Sequence, residues 1–112
     1  MLVTAHNSAI AMGSGDLPVF ATPAMVALME REAALLASSF CSAQQTTVGV
    51  LINIEHLRAT PLGGDVWAEA KLLGQEGRKL MFSVEAFDDN GLIGHGEHHR
   101  FMVDRQKFMS KL

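Results

Sequence analysis

The chain has 112 residues, 48% of them hydrophobic and 19% charged, with a formal net charge of −3. That length and apolar content suit one packed domain, residues 1–112, and the charge balance offers no basic block for nucleic acid. A lone cysteine, Cys41, excludes an internal disulfide framework and fits a reducing cytoplasm, and no run is apolar enough to span or engage a membrane or to act as a secretory leader.

Leu2 to Met12 is rich in small and β-compatible residues and reads as a short strand, broken by Gly13-Ser14-Gly15-Asp16. Leu17 to Phe20 is an extended lead-in. Thr22-Pro23 then opens a helix, with Thr22 as the N-cap and proline at the first helical position, where no backbone N–H is needed. The helix runs toward Phe40 on good helix formers, with an apolar stripe of Val26, Met29, Ala33, Ala37 and Phe40. Glu30 falls inside that stripe. A carboxylate there either snorkels to water from a ragged edge or serves chemistry at the floor of a pocket.

Everything after the polar segment Ser38 to Gln45 is strand-like. Val48, Val50, Ile52 and Ile54 alternate in a first strand ending at His56, and Pro61 and Gly63-Gly64 mark a turn. Val66 to Leu72 and Leu80 to Ala86 alternate likewise, separated by Gln75-Glu76-Gly77-Arg78. Asp88-Asp89-Asn90-Gly91 is a hairpin signal, Leu92 to Val103 forms the last strand, and Asp104 to Leu112 makes a helical turn or two. The expected class is α+β: an antiparallel meander whose apolar face can be covered only by the one long helix, hence a curved sheet wrapped around it.

Thr22, Glu30 and His56 stand at boundaries of this architecture. Singly they also read as a cap, a stripe edge and a strand-end surface residue. Together, hydroxyl, carboxylate and imidazole are the set that activates an oxygen nucleophile or water against a carbonyl. Gly49 interrupts a β-branched strand, which marks either close backbone approach, with its N–H free for an oxyanion, or packing against the helix. In Gly94 to Arg100, His95, Glu97 and His99 share one strand face and His98 and Arg100 the other. The first three read as a solvated face, a dimer seam or a metal set lacking further ligands, so no metal is assigned. Arg100 suits an anionic substrate group or a carboxylate.

Phe20–Glu30 (FATPAMVALME), Thr46–Val50 (TTVGV), His56–Pro61 (HLRATP), Gly77–Leu80 (GRKL) and Gly94–Phe101 (GHGEHHRF) resemble, in order and spacing, the hot-dog-fold thioesterases of the fluoroacetyl-CoA thioesterase-like branch. The resemblance spans nearly the whole chain. It implies a hot-dog fold, a homodimer (which the small size also favours), and acyl-CoA thioester hydrolysis without metal or separate cofactor. It places the catalytic set on Thr22, Glu30 and His56, with Gly49 and Arg100 meeting the substrate. The family's lid phenylalanines fall on Gly13-Ser14-Gly15-Asp16, which has no aromatic residue, so a more general acyl-CoA is expected. Arg58, Arg78, Lys79 and Arg105 are the candidates for CoA phosphates. The competing expectation is a hot-dog dimer that holds an acyl-CoA or apolar ligand without turning it over.

Overall fold

A computed structural model describes all of residues 1–112. One long helix, α2 (Thr22–Ser38), lies across a four-stranded antiparallel sheet of β1 (Gln45–His56), β2 (Val66–Glu76), β3 (Lys79–Asp88) and β4 (Gly91–Asp104). The short helices α1 (Ala9–Met12) and α3 (Arg105–Ser110) sit at the two ends of the chain. The expected α+β architecture is therefore present. No helix is long and apolar enough to cross a membrane.

Helix α2 buries Ala24, Met25, Leu28, Met29, Ala33 and Ala37. Its three alanines let the helix approach the sheet closely, while Met25, Leu28 and Met29 fill the space against Leu80, Phe82, Val84 and Ile93. The stripe is rotated from the expected one. Val26 is only half-buried and Phe40, past the helix end, is exposed. Glu30 thus stands on the flank of the stripe and not within it, in a half-buried row with Val26 and Ala34 that faces β1.

The sheet order is β1-β4-β3-β2. The β2–β3 and β3–β4 hairpins form as the turn residues dictate, with Gly77 at φ 60° and Gly91 at φ 118°, values that glycine alone adopts without strain. β1 departs from a simple meander. It pairs with β4, so the segment 57–65 crosses from one edge of the sheet to the other before β2 begins. The N-terminal segment also differs from expectation. In place of a strand, Ala5–Asn7 forms a 3₁₀ turn and Ala9–Met12 a helical turn, because local side-chain bonds win over weak β propensity. Thr4 Oγ1 accepts from His6 N, Asn7 Oδ1 accepts from Thr4 N, and Ser8 Oγ accepts from Ala11 N. Only isolated bridges remain, including Leu2 with Asp65 and Ser8 with Phe20.

The crossover is fastened by Asp88 at the end of β3. Its carboxylate is 5% exposed and accepts 2.8 Å bonds from Arg58 Nη2, Thr60 Oγ1 and Asn90 N. Burial alone raises its pKa. The Asn90 N–H, the Thr60 hydroxyl and the Arg58 charge outweigh that and hold the carboxyl below its ordinary value. Thr60 O in turn accepts from Phe20 N, and Leu57 N donates to Ile93 O, so the knot sets both the entry to α2 and the chain leaving β1. Asp88→Asn turns one acceptor into a donor facing Thr60 or Arg58. We expect a loss of about 2 kcal/mol, read in urea melts as a lower midpoint at unchanged slope. An unchanged midpoint would remove the knot from any structural role.

Candidate active site

The sequence-predicted residues fall into two groups. In the first, Thr22 Oγ1 lies 2.7 Å from Nδ1 of His56. Thr22 is the first residue of α2 and not its cap: Ala21 takes that position with no side-chain cap bond, and the threonine hydroxyl is spent on the histidine. Pro23 still occupies the first turn. Nε2 of His56 is buried without a hydrogen-bond partner. Burial holds the ring's pKa below the ordinary histidine value, against a smaller opposing pull from the Arg58 backbone. A neutral ring that takes the Thr22 proton at Nδ1 carries its own proton on Nε2, an arrangement that can relay a proton through hydroxyl and imidazole. A cavity of ≈ 340 Å³ opens beside this pair, lined by Gly15, Asp16, Leu17, Thr22, His56 and Arg58 among others.

The second group surrounds Gly49. Its position on the helix-facing side of β1 is so close-packed that an added Cβ would stand 2.9 Å from Glu30 Oε2, 3.2 Å from the His98 ring and 3.5 Å from Arg100 Nη1. The close approach expected at this glycine is thus made by a carboxylate, an imidazole and a guanidinium. Immediately after Gly49 the β1–β4 register shifts, which leaves Val50 as a bulge. Glu30 keeps 41% of its side-chain surface exposed and lies 3.8 Å from Arg100 Nη1, too far for a hydrogen bond. A second cavity, ≈ 190 Å³, is lined by Glu30, Gly49, Val50, Leu51, Ile52 and His98.

Arg100 is buried and its guanidinium is held from three sides. Nε donates to Thr47 Oγ1 at 2.8 Å, Nη2 donates to Thr47 O at 3.0 Å, and Nη1 lies 3.2 Å from His98 Nε2. His98, 1% exposed, has Nδ1 2.8 Å from the Leu51 carbonyl. Only a donor can face that carbonyl, so the proton sits on Nδ1 and Nε2 is left to accept from Arg100. Desolvation holds His98 below its ordinary pKa, helped by the charge of Arg100 and opposed by Leu51 and Glu30. Burial also pulls Arg100 down, opposed by Glu30. One Nη1–H of Arg100 remains to face the Gly49–Glu30 gap.

The two groups do not meet within one chain. Thr22 and Glu30 are two turns apart on α2, about 12 Å along its axis. The sequence identified Thr22, Glu30, His56, Gly49 and Arg100 as site candidates. It did not single out His98 or Thr47, although His98 shares the inner strand face with Arg100 at i−2 and Thr47 pairs two positions along. His95, Glu97 and His99 lie on the other face, with His99 Nε2 2.7 Å from Glu97, and no group of three or more His, Cys, Asp or Glu converges to hold a metal.

His56 and His98 are both neutral by burial, with folded-state pKa values below the ordinary 6.5. Unfolding returns them to that value, so the unfolded chain binds more protons just below it, and stability falls as the pH drops. Tm should therefore be lower at about pH 5.5 than at about pH 7.5, with a shallower slope in His98→Gln, which does not titrate. A flat or inverted Tm profile would contradict the neutral assignment.

The fluoroacetyl-CoA-specific thioesterase family FlK matches residues 3–106. The fluoroacetyl-CoA thioesterase of Streptantibioticus cattleyicolor is 36% identical over 94 residues, covering 84% of this chain and 68% of that protein. A crystal structure of a point mutant of FlK with fluoroacetate and CoA superimposes with a TM-score of 0.92 at 31% identity, covering 99% of this chain and 91% of that one. A hot-dog-like protein from Thermanaerovibrio acidaminovorans, at 20% identity and a TM-score of 0.89 over 99% of this chain and 82% of its own, shares the fold. The chain belongs to the FlK family: it is a hot-dog-fold thioester hydrolase of the acyl-CoA class.

Proposed function

We propose that Thr22, Glu30 and His56 form one catalytic set assembled across a homodimer, with Gly49 and Arg100 receiving the acyl carbonyl. The observation that carries this is the division of the site. Each chain presents a hydroxyl–imidazole pair at one end of β1 and an exposed carboxylate beside a buried guanidinium toward the other. β1 is an edge strand with no partner on its outer side, and Val50, Leu51 and Ile52 stand exposed along it. Antiparallel pairing of β1 with its copy satisfies the free edge and covers those side chains. A twofold axis near Asn53 then sets the partner's His56 opposite the Gly49–Val50 bulge, on the face where Glu30 projects.

In this arrangement Glu30 supplies the attacking oxygen: its own, forming a mixed anhydride that water then cleaves to the free acid, or that of a water whose proton it takes and returns to the Thr22–His56 pair. Thr22 and His56 pass a proton to the departing CoA sulfur. The free Nη1–H of Arg100 and the Gly49 backbone steady the negative charge on the carbonyl oxygen, a task that fixed donors perform best where water is excluded. The acyl group is not confined to fluoroacetyl. The ≈ 340 Å³ cavity beside Thr22 is edged by Ser14, Gly15 and Asp16, a stretch without an aromatic residue, and the one phenylalanine that lines it, Phe20, is buried.

Glu30→Gln and His56→Ala should each abolish turnover in a folded dimer. If the set is composite, refolding the two inactive variants together restores about a quarter of wild-type activity, because half the dimers then carry one intact site of two. A mixture as inactive as its components sinks the shared-site arrangement. Gly49→Ala should push the Glu30 carboxylate aside and lower kcat at least ~10-fold with little change in Tm. Full activity in that variant would show that the close approach is not needed for chemistry.

A further inference from the structure

His98 is 1% exposed and stands beside Glu30 and Gly49 in the wall of the ≈ 190 Å³ cavity, yet it bonds to none of Thr22, Glu30 and His56. Both of its ring nitrogens are occupied elsewhere. Nδ1 donates to the Leu51 carbonyl at 2.8 Å, and Nε2 accepts from Arg100 Nη1 at 3.2 Å. The first bond does not by itself call for an imidazole. It joins β4 to β1, which are already paired along their backbones from Gln45 and Asp104 to His56 and Gly94. Any side-chain amide could make it. The second bond bears on the chemistry.

Arg100 has two tethers besides His98, Nε and Nη2, and both end on Thr47. The remaining arm, Nη1, lies between two acceptors: His98 Nε2 at 3.2 Å and Glu30 Oε2 at 3.8 Å. Its second N–H faces the gap, so distance and not donor supply keeps the pair with Glu30 open. A move of about 1 Å would turn that contact into a charge-assisted hydrogen bond. No side chain stands in the way. Gly49 leaves the gap empty, since the Cβ that it lacks would lie 2.9 Å from Glu30 Oε2 and 3.2 Å from the His98 ring. Glu30 keeps 41% of its side-chain surface exposed, which leaves it room to turn inward. The attraction of opposite charges favours the closed pair, more so where water is partly excluded. What opposes closure is the neutral acceptor on the strand side, because a buried N–H gives up its hydrogen bond only at a cost.

We propose that His98 is a positioning residue for hydrolysis: its Nε2 holds Nη1 of Arg100 on the strand side and so keeps the guanidinium from closing on Glu30, which leaves the carboxylate open to the thioester. The proposal rests on the reading of Glu30 as the reacting carboxylate and adds a residue that acts through Arg100.

Asparagine and glutamine separate the two bonds of His98. His98→Asn puts an amide nitrogen where Nδ1 stands, so the bond to Leu51 survives, but the side chain is too short to reach Nη1. His98→Gln extends one carbon further and brings an amide oxygen to Nη1 at the expense of the Leu51 bond. His98→Asn should lower kcat for a short acyl-CoA roughly 10- to 100-fold with KM within about twofold of wild type. His98→Gln should stay within a few-fold of wild type in both. If His98 served only to tie β4 to β1, the order of the two variants would be reversed, and that order, or equal rates in both, overturns the proposal. Crystal structures supply a readout free of turnover. The Arg100 Nη1–Glu30 Oε2 separation should shrink from 3.8 Å to about 2.8 Å in His98→Asn and stay open in His98→Gln. His98→Leu, which fills the volume with neither bond, should close the pair as His98→Asn does. A separation that stays open in both His98→Asn and His98→Leu overturns the proposal whatever the rates. Closure there, in a protein whose Glu30→Gln variant still hydrolyses acyl-CoA at the wild-type rate, refutes the role of Glu30 and leaves the hold of His98 on Arg100 standing.

Discussion

A guanidinium buried between sheet and helix is the constraint on which this site is built. Arg100 cannot shed its charge, so its cost of burial has to be met by fixed acceptors and a counter-ion. Thr47 supplies two oxygens from β1, His98 one ring nitrogen from β4, and Glu30 the opposite charge from α2. Three elements are thereby tied to one side chain. The histidine fits this role only as a neutral ring, and the Leu51 carbonyl fixes which nitrogen accepts. Gly49 is the corollary. Any side chain there would occupy the volume in which carboxylate, imidazole and guanidinium meet.

The 3.8 Å between Arg100 and Glu30 also matters. A tight bidentate pair would neutralise both groups and fill the gap between them. With the guanidinium anchored on Thr47 and His98, Glu30 is attracted without being captured, and it keeps an exposed face. A carboxylate that stays reachable beside a fixed cation is suited to act on a thioester carbonyl whose oxygen gains charge in the transition state.

The strands, their hairpins and the long helix were legible in the sequence because alternation and turn chemistry are local. Val66 to Leu72 and Leu80 to Ala86 declare a buried face at every second residue, and Asn90-Gly91 declares the turn. The N-terminal segment misled because Thr4, Asn7 and Ser8 satisfy nearby backbone groups themselves, and a composition of small residues says nothing of such bonds. The partner of β1 was hidden for another reason. Strand order depends on a crossover held by Asp88, a contact between residues 28 and 30 positions apart in the chain. Thr22 looked like a cap because threonine before proline usually is one. Only the fold reveals that its hydroxyl faces His56. His98 was placed on the face of Arg100 but given no role, because alternation assigns a strand face without showing that the neighbouring cation is buried against the ring.

The same edge strand that divides the site accounts for the proposed way of completing it. As a monomer the protein leaves the outer edge of the twelve-residue β1 without a partner, with Val50, Leu51 and Ile52 open to water beside the bulge. Such an edge invites association, and nothing within the chain blunts it with proline or lysine. Val26, Glu30 and Ala34 form a half-buried row on the adjoining helix face, so the surface that a second copy would cover already includes the carboxylate. Pairing through β1 would then do two things with one contact. It would remove the exposed edge and bring the imidazole of one copy to the carboxylate of the other. In such an assembly the reacting groups come together only in the folded, paired protein, and activity is coupled to the contact that protects the sheet.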